Sequence, residues 1–343
     1  MTLLELEINE QPEVAARLLD AVLPRLGELH DLLRGRGAEQ VLLVARGSSD
    51  NAARYAQYLW QLRARTTVTL ATPSLSTVYD APPDLRRHAV VAVSQSGRSP
   101  DVVAVVEQAR AAGRPTLAVT NAPDSPLAEA AEDVLDLGAG PERSVAATKT
   151  YTSSVLAMAL LGCALHEGTG SEDLRAVPDA LAAAVRATEG VEAAAALLAS
   201  HSRGVCVGRG LNLATAHETA LKVTELTGAL VAPYSPADLM HGPVAAVGPE
   251  TPALLVAPDE AGSGSVLEAV PELRRRGAPV VVVSERPVDD TVAVTLPPGA
   301  AVADWLTPVT AVVPGQLLAW RTAERRGIDV DHPGELSKVT LTR

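Results

Sequence analysis

Two α/β domains, each a doubly wound parallel sheet flanked by helices, are predicted by three observations. The first is a half-length repeat. Strand Val41 to Ala45, the turn Gly47-Ser48-Ser49 and a helix from Asn51 to Trp60 are echoed by Gly204 to Val207, Gly208-Arg209-Gly210 and a helix from Thr215 to Leu226, Arg209 lying 163 residues after Arg46. The second is that the following unit repeats too: Gly113 before Pro115-Thr116-Leu117-Ala118-Val119 matches Gly277, 164 residues on, before Pro279 and Val280 to Val283. The third is composition. The chain is 47% hydrophobic but only 2% aromatic, with no Phe, so its cores are filled by Ala, Val and Leu, which suit helices laid on parallel strands. A length of 343 residues accommodates two such cores.

Taken in order, Val14 to Leu33 reads as one leading helix, with Leu18, Leu19, Val22, Leu26 and Leu29 near helical spacing. Strands follow at Val41 to Ala45, Thr67 to Ala71 and Ala89 to Val93. The turn from Ser94 to Pro100 leads to a helix from Asp101 to Ala112 and a strand from Thr116 to Val119. Leu127 to Ala131 reads as a short helix, Val134 to Leu137 as a short strand, and Thr150 to Leu165 as a long helix. Ala180 to Leu198 reads as an alanine-rich helix joining the halves. The second half repeats the pattern with strands near Val205, Leu254 and Val281 and a last helix, Pro308 to Arg325, ending before Gly327. The organisation expected is a helical segment 1–34, a first domain 35–170, a helical linker 171–195, a second domain 196–326 and a tail 327–343 holding Lys338.

A net charge of −12, with no basic stretch interleaved with aromatics, argues against nucleic acid as a partner. No run reaches membrane-spanning length, and Glu5, Glu7 and Glu10 stand among the first leucines where a secretion signal would be basic and then apolar, so a cytoplasmic location is expected and no membrane partner. Cys163 and Cys206 lie in apolar runs without metal-ligand spacing and read as buried thiols. No metal or other cofactor is expected. Global negative charge leaves room for a small phosphorylated ligand, since backbone N–H groups at a helix start bind an anion locally.

Ser94-Gln95-Ser96-Gly97 sits between an apolar strand and a helix, where amide donors converge beyond the strand's carboxyl end. It reads either as a phosphate-monoester turn, with hydroxyls from Ser94, Ser96 and Ser99 and an amide from Gln95, or as an ordinary turn with a serine cap. Neither GxGxxG nor GK[ST] occurs, which disfavours nucleotides. Gly47-Ser48-Ser49 is a second serine turn that would face the same crevice, or simply cap its own helix. Glu218, Lys222 and Glu225 fall on one helical face, as a solvated salt-bridge stripe or as a carboxylate base beside a lysine, suited to moving a proton at carbon next to a carbonyl. His241, in the loop Asp238-Leu239-Met240-His241-Gly242-Pro243, is either merely exposed or a group for moving a proton at a sugar ring oxygen.

Together, Ser94-Gln95-Ser96-Gly97, Val145-Ala146-Ala147-Thr148-Lys149, Glu218-Thr219-Ala220-Leu221-Lys222 with Glu225, His241-Gly242-Pro243 and Asp329-Val330-Asp331-His332-Pro333 leading to Leu336-Ser337-Lys338 resemble the SIS (sugar isomerase) family, in particular the isomerase half of glucosamine-fructose-6-phosphate aminotransferase and its free-standing relatives. The resemblance covers essentially the whole chain. It implies two flavodoxin-like subdomains and a homodimer with a shared active site, one subunit's histidine completing its neighbour's. It implies that Ser48, Ser49, Ser94, Gln95, Ser96 and Ser99 hold a sugar phosphate, with Val145 and Ala147 beside the sugar. Glu225 would shuttle the proton between C1 and C2, His241 would assist ring opening, Lys338 would stand at the Schiff-base position, and Lys222 and Glu218 would support the cluster.

The sequence departs from the family pattern in two places near the sugar: Arg98 replaces the acidic residue after the SQSG turn, and Ala147 stands in place of a serine. With no amidotransferase segment expected ahead of residue 1, the leading expectation is a deaminase converting glucosamine 6-phosphate to fructose 6-phosphate and ammonia. The alternatives are a dehydratase or lyase eliminating at C3 of an N-acetylhexosamine 6-phosphate, and a non-catalytic phosphosugar sensor.

Overall fold

Ten strands form two five-stranded, all-parallel sheets in a computed structural model that describes residues 1–331. The strands are β1 (Gln40–Ala45), β2 (Thr67–Leu70), β3 (His88–Val93), β4 (Thr116–Thr120) and β5 (Asp133–Asp136), then β6 (Arg203–Val207), β7 (Leu230–Tyr234), β8 (Ala253–Val256), β9 (Val280–Ser284) and β10 (Val292–Thr295). The orders are β2-β1-β3-β4-β5 and β10-β9-β8-β6-β7, which is one topology written twice. Each is the flavodoxin-like order, with the direction of winding reversing between its first and third strands.

Among the described residues the chain divides into two units, a front unit of 13–142 and 149–175 and a rear unit of 1–12, 143–148 and 176–331. In the front unit β1 and β3 run level, from Gln40 opposite His88 to Ala45 opposite Val93. Leu42, Val44, Val90, Ala92 and Ala118 present one face of the sheet to Val102, Val105, Val106 and Ala109 of helix Pro100–Ala111. Helix Lys149–Leu165 is buried along its whole length, and Trp60 of helix Ser48–Ala64 donates its indole N–H to Met158 O at 2.8 Å. In the rear unit Val205, Val207, Ala253, Leu255, Val280 and Val282 pack on Val266, Val270 and Leu273.

Two expected helices are each broken in two. The leading helix becomes Gln11–Val22 and Leu26–Arg34 around a 3₁₀ turn at Leu23–Arg25, because Pro24 has no N–H for the helical ladder. The alanine-rich helix becomes Val177–Val185 and Val191–Ala199, and Gly190 between them has φ +80° with its Cα pressed on the backbone of Ala293, a position no β-carbon can share. Strands β7 and β10 were not anticipated. β7 is a sheet edge that carries Pro233 opposite Cys206, and its exposed Leu230 breaks the apolar run that marks a buried strand.

Candidate functional site

The reversal between β1 and β3 puts the two serine turns at neighbouring strand ends of the front sheet. Gly47, Ser48 and Ser49 follow β1, and Ser94 to Ser99 follow β3. An ion pair joins them: Arg46 donates from Nε to Asp101 Oδ2 at 2.6 Å, and the buried Asp101, in the first turn of helix Pro100–Ala111, also accepts from the Val102 amide at 2.9 Å. Within the second turn the Gly97 amide donates to Ser94 Oγ and to Ser94 O, both at 3.2 Å, and Arg98 N donates to Ser96 Oγ at 3.4 Å. Gln95, Ser96 and Ser99 are partly exposed at the strand ends, with Ser94 buried beneath them.

The corresponding turn of the rear sheet, after β8, carries Pro258, Asp259 and Glu260 where the front turn carries Gln95, Ser96 and Gly97, the Ser94 and Ala257 amides donating to the equivalent carbonyls of Val119 and Val283. Burial holds the Glu260 and Glu285 carboxyls above their usual range there.

The titratable cluster sits on helix Leu213–Thr227 of the rear unit, which ends at Gly228 in the left-handed conformation, φ +70°. Glu218 and Lys222 are 0% and 2% exposed at the side chain, with Lys222 Nζ 3.5 Å from Glu218 Oε1. Lys222 also pairs closely with Glu225, whose side chain is 28% exposed. A solvated stripe would expose all three, so the burial is at odds with that reading. Two buried groups fix a third that reaches solvent, an arrangement that orients a carboxylate. The helix is held tightly to helix Thr307–Arg325, where a β-carbon on Gly315 would fall within 3.0 Å of Thr219 Cβ.

His241 ends the short helix Pro236–Met240 and is exposed, its amide donating to Ala237 O at 3.1 Å. That helix is capped by Ser235, whose Oγ accepts from Asp238 N at 3.1 Å. Gly242 follows at φ +136°, which a side chain would strain. Val145 and Ala147 are half-buried in a segment whose neighbours Ser144 and Thr148 are buried. Lys338 lies outside the described residues.

Several residues that shape these features are absent from the sequence-based site. The buried Glu7 carboxylate accepts from the amides of Arg143 and Ser144, and Gln316 donates from Nε2 to Thr148 O at 3.4 Å while its Oε1 accepts from Gln11 Nε2 at 2.9 Å. Together they grip the segment carrying Val145 and Ala147 within the rear unit. In the front unit the buried Glu142 caps helix Lys149–Leu165, accepting from Thr150 N at 3.1 Å and Thr150 Oγ1 at 2.6 Å. A signal existed for Glu7 and Gln11: they stand three and seven residues after Leu4, on the apolar stripe of their helices, where a polar residue needs a buried partner. Among the described residues no group of three or more His, Cys, Asp or Glu is placed to hold a metal, and no helix is long and apolar enough to cross a membrane.

The model of the SIS domain matches residues 36–164 and 197–297. A glutamine–fructose-6-phosphate aminotransferase (isomerizing) of Streptococcus pneumoniae is 30% identical over 350 residues, covering 97% of this chain and 57% of that protein. The chain thus spans little more than half the length of the curated relatives it matches. A Silicibacter pomeroyi protein assigned as a phosphosugar isomerase is 34% identical, with a TM-score of 0.87 over 96% of this chain and 100% of that one. The C-terminal domain of glucosamine-fructose-6-phosphate aminotransferase from Francisella tularensis, 24% identical, shares the fold with a TM-score of 0.86 over 96% and 98% of the two chains. The two matched stretches take in both sheets almost completely, and the chain belongs to the SIS domain family.

Proposed function

We propose that this protein acts on an amino-sugar phosphate as an isomerase and deaminase, converting glucosamine 6-phosphate and water to fructose 6-phosphate and ammonia. The observation that carries the reading is the buried ion-pair network on helix Leu213–Thr227, in which Glu218 and Lys222 hold a Glu225 that remains partly accessible. In this reading the serine turns, Ser48 and Ser49 with Ser94 to Ser99, bind the phosphate at the unreactive end, and His241 moves a proton at the ring oxygen to open the sugar. Glu225 takes the proton from C2 and returns it to C1, which leaves an imine at C2; water adds there and ammonia departs. Anchoring the phosphate fixes the unreactive end of the sugar, so much of the rate advantage is positional. Val145 and Ala147 stand beside the sugar, and Lys338 takes the Schiff-base position. Assembly as a homodimer, with His241 completing the neighbouring copy's site, belongs to the same reading.

The test is turnover of glucosamine 6-phosphate with ammonia and product mass read together, in the parent protein and in Glu225→Gln. General base removal should lower kcat by roughly 10²–10⁴-fold while the dissociation constant for the sugar phosphate stays within a few fold. Full activity in Glu225→Gln would remove the assigned base. An ultraviolet-absorbing product from the N-acetylated sugar, without ammonia, would transfer the same base to elimination at C3, and tight binding without turnover of any hexose 6-phosphate would make the protein a sensor.

A further inference from the structure

The turn Ser94-Gln95-Ser96-Gly97 owes its shape to a neighbouring loop of the same unit, residues 120–127, between β4 and helix Pro126–Ala130. Gln95 O accepts from Asn121 N at 3.2 Å and from Thr120 Oγ1 at 3.4 Å, and Gly97 O accepts from Leu127 N at 3.1 Å. With these carbonyls occupied from the loop side, the amides of Gln95 and Ser96 make no hydrogen bond to the protein among the described residues. They are the donors an anion needs.

Gly97 has φ +61°, and a β-carbon there would lie 2.5 Å from Ser125 Cβ, 3.3 Å from Thr120 Oγ1 and deeper still inside contact with Ser125 Oγ. Ser125 is 2% exposed, and its hydroxyl has no hydrogen-bond partner among the described residues. It occupies the N-cap position of helix Pro126–Ala130, where a serine ordinarily accepts from the helix, yet its side chain does not cap. A buried hydroxyl without a partner is unfavourable, so capping does not account for this side chain, whereas the space it fills against Gly97 does.

We propose that Ser125 is a positioning residue for sugar-phosphate binding: its side chain fills the volume that a β-carbon at residue 97 would need, and so sets where the Gln95 and Ser96 amides and the Ser94 and Ser96 hydroxyls stand. The proposal rests on the phosphate reading of the SQSG turn. It reaches beyond it by naming a residue that touches neither phosphate nor sugar and by predicting that positions 97 and 125 are coupled.

The experiment measures the dissociation constants of glucosamine 6-phosphate and of inorganic phosphate by calorimetry, with melting temperatures alongside, for the parent, Gly97→Ala, Ser125→Val, Ser125→Gly and the double variant Gly97→Ala/Ser125→Gly. Overfilling this contact should weaken both ligands about tenfold or more in Gly97→Ala and in Ser125→Val. Ser125→Gly removes the clash with a β-carbon at residue 97, so the double variant should bind several fold better than Gly97→Ala alone. It should still fall short of the parent, because the left-handed backbone at residue 97 continues to disfavour a side chain. Independent losses at the two positions, or a Ser125→Val variant that binds like the parent while only its melting temperature falls, overturn the positioning role and leave the phosphate reading intact. A parent that binds neither ligand overturns both.

Discussion

In a Lys222→Met variant the ammonium is lost while side-chain length is kept, and the consequence can be worked from the ion-pair geometry. The Lys222–Glu218 pair is separated by 3.5 Å with both side chains at or below 2% exposure. At an effective dielectric constant of about 20 this attraction is about 5 kcal/mol, and breaking a buried pair from one side costs about 3–5 kcal/mol. The second pair, to Glu225, shares the same ammonium and is not added to this figure. Lys222→Met should therefore lower the unfolding free energy by about 3–5 kcal/mol at pH 8, read by urea titration with tryptophan fluorescence. The sign of the pH dependence follows from the carboxylate left behind. A buried Glu218 without its cation favours the protonated form in the folded state, so the unfolded chain gives up its proton more easily as pH rises and the deficit grows from pH 5 to pH 8. Removing the carboxylate as well, in Glu218→Gln/Lys222→Met, should recover much of the loss. A single variant within about 1 kcal/mol of the parent, or a double variant no more stable than the single, would refute the claim that these charges are buried together.

Glu7→Gln replaces an acceptor of two backbone amides with a group that can accept at one oxygen only, so about 1.5–3 kcal/mol of stability should be lost, along with sugar affinity through the segment holding Val145 and Ala147; unchanged unfolding and binding would show that the contact carries neither. Burial pushes the Cys163 thiol up to about 12 and raises that of Cys206 as well, so at pH 8 both stay protonated. An aromatic disulfide reagent should label neither cysteine in the native protein and both after unfolding, and one fast equivalent in the native protein would contradict their burial.

How legible the fold was can be seen in β3 and the turn after it. An apolar run, Ala89 to Val93, ending in Ser-Gln-Ser-Gly and a helix start is local grammar, and the strand appears at His88–Val93 with the helix at Pro100–Ala111. The half-length repeat likewise announced two sheets of one topology. Breaks were harder to see than elements: Pro24 and Gly190 each stood in view, yet the apolar spacing ran past them. β7 escaped because an edge strand is half exposed and needs no unbroken apolar run.

For the candidate site, the one-dimensional pattern could place Glu218, Lys222 and Glu225 on one helical face, since a period of 3.6 is a property of the local backbone. Whether that face met water or protein was decided by the tertiary packing of its helix, whose Thr219 meets Gly315 of helix Thr307–Arg325, almost a hundred residues downstream. The same holds for Ser125 under Gly97, Asp101 beside Arg46 and Glu7 on the amides of Arg143 and Ser144. The sequence by itself determined the fold class, the strand and helix grammar and the residue types available for chemistry, because these depend on neighbours along the chain. Tertiary structure alone decided which polar groups are buried, and against what, because burial is set by surfaces that meet only once distant segments have packed.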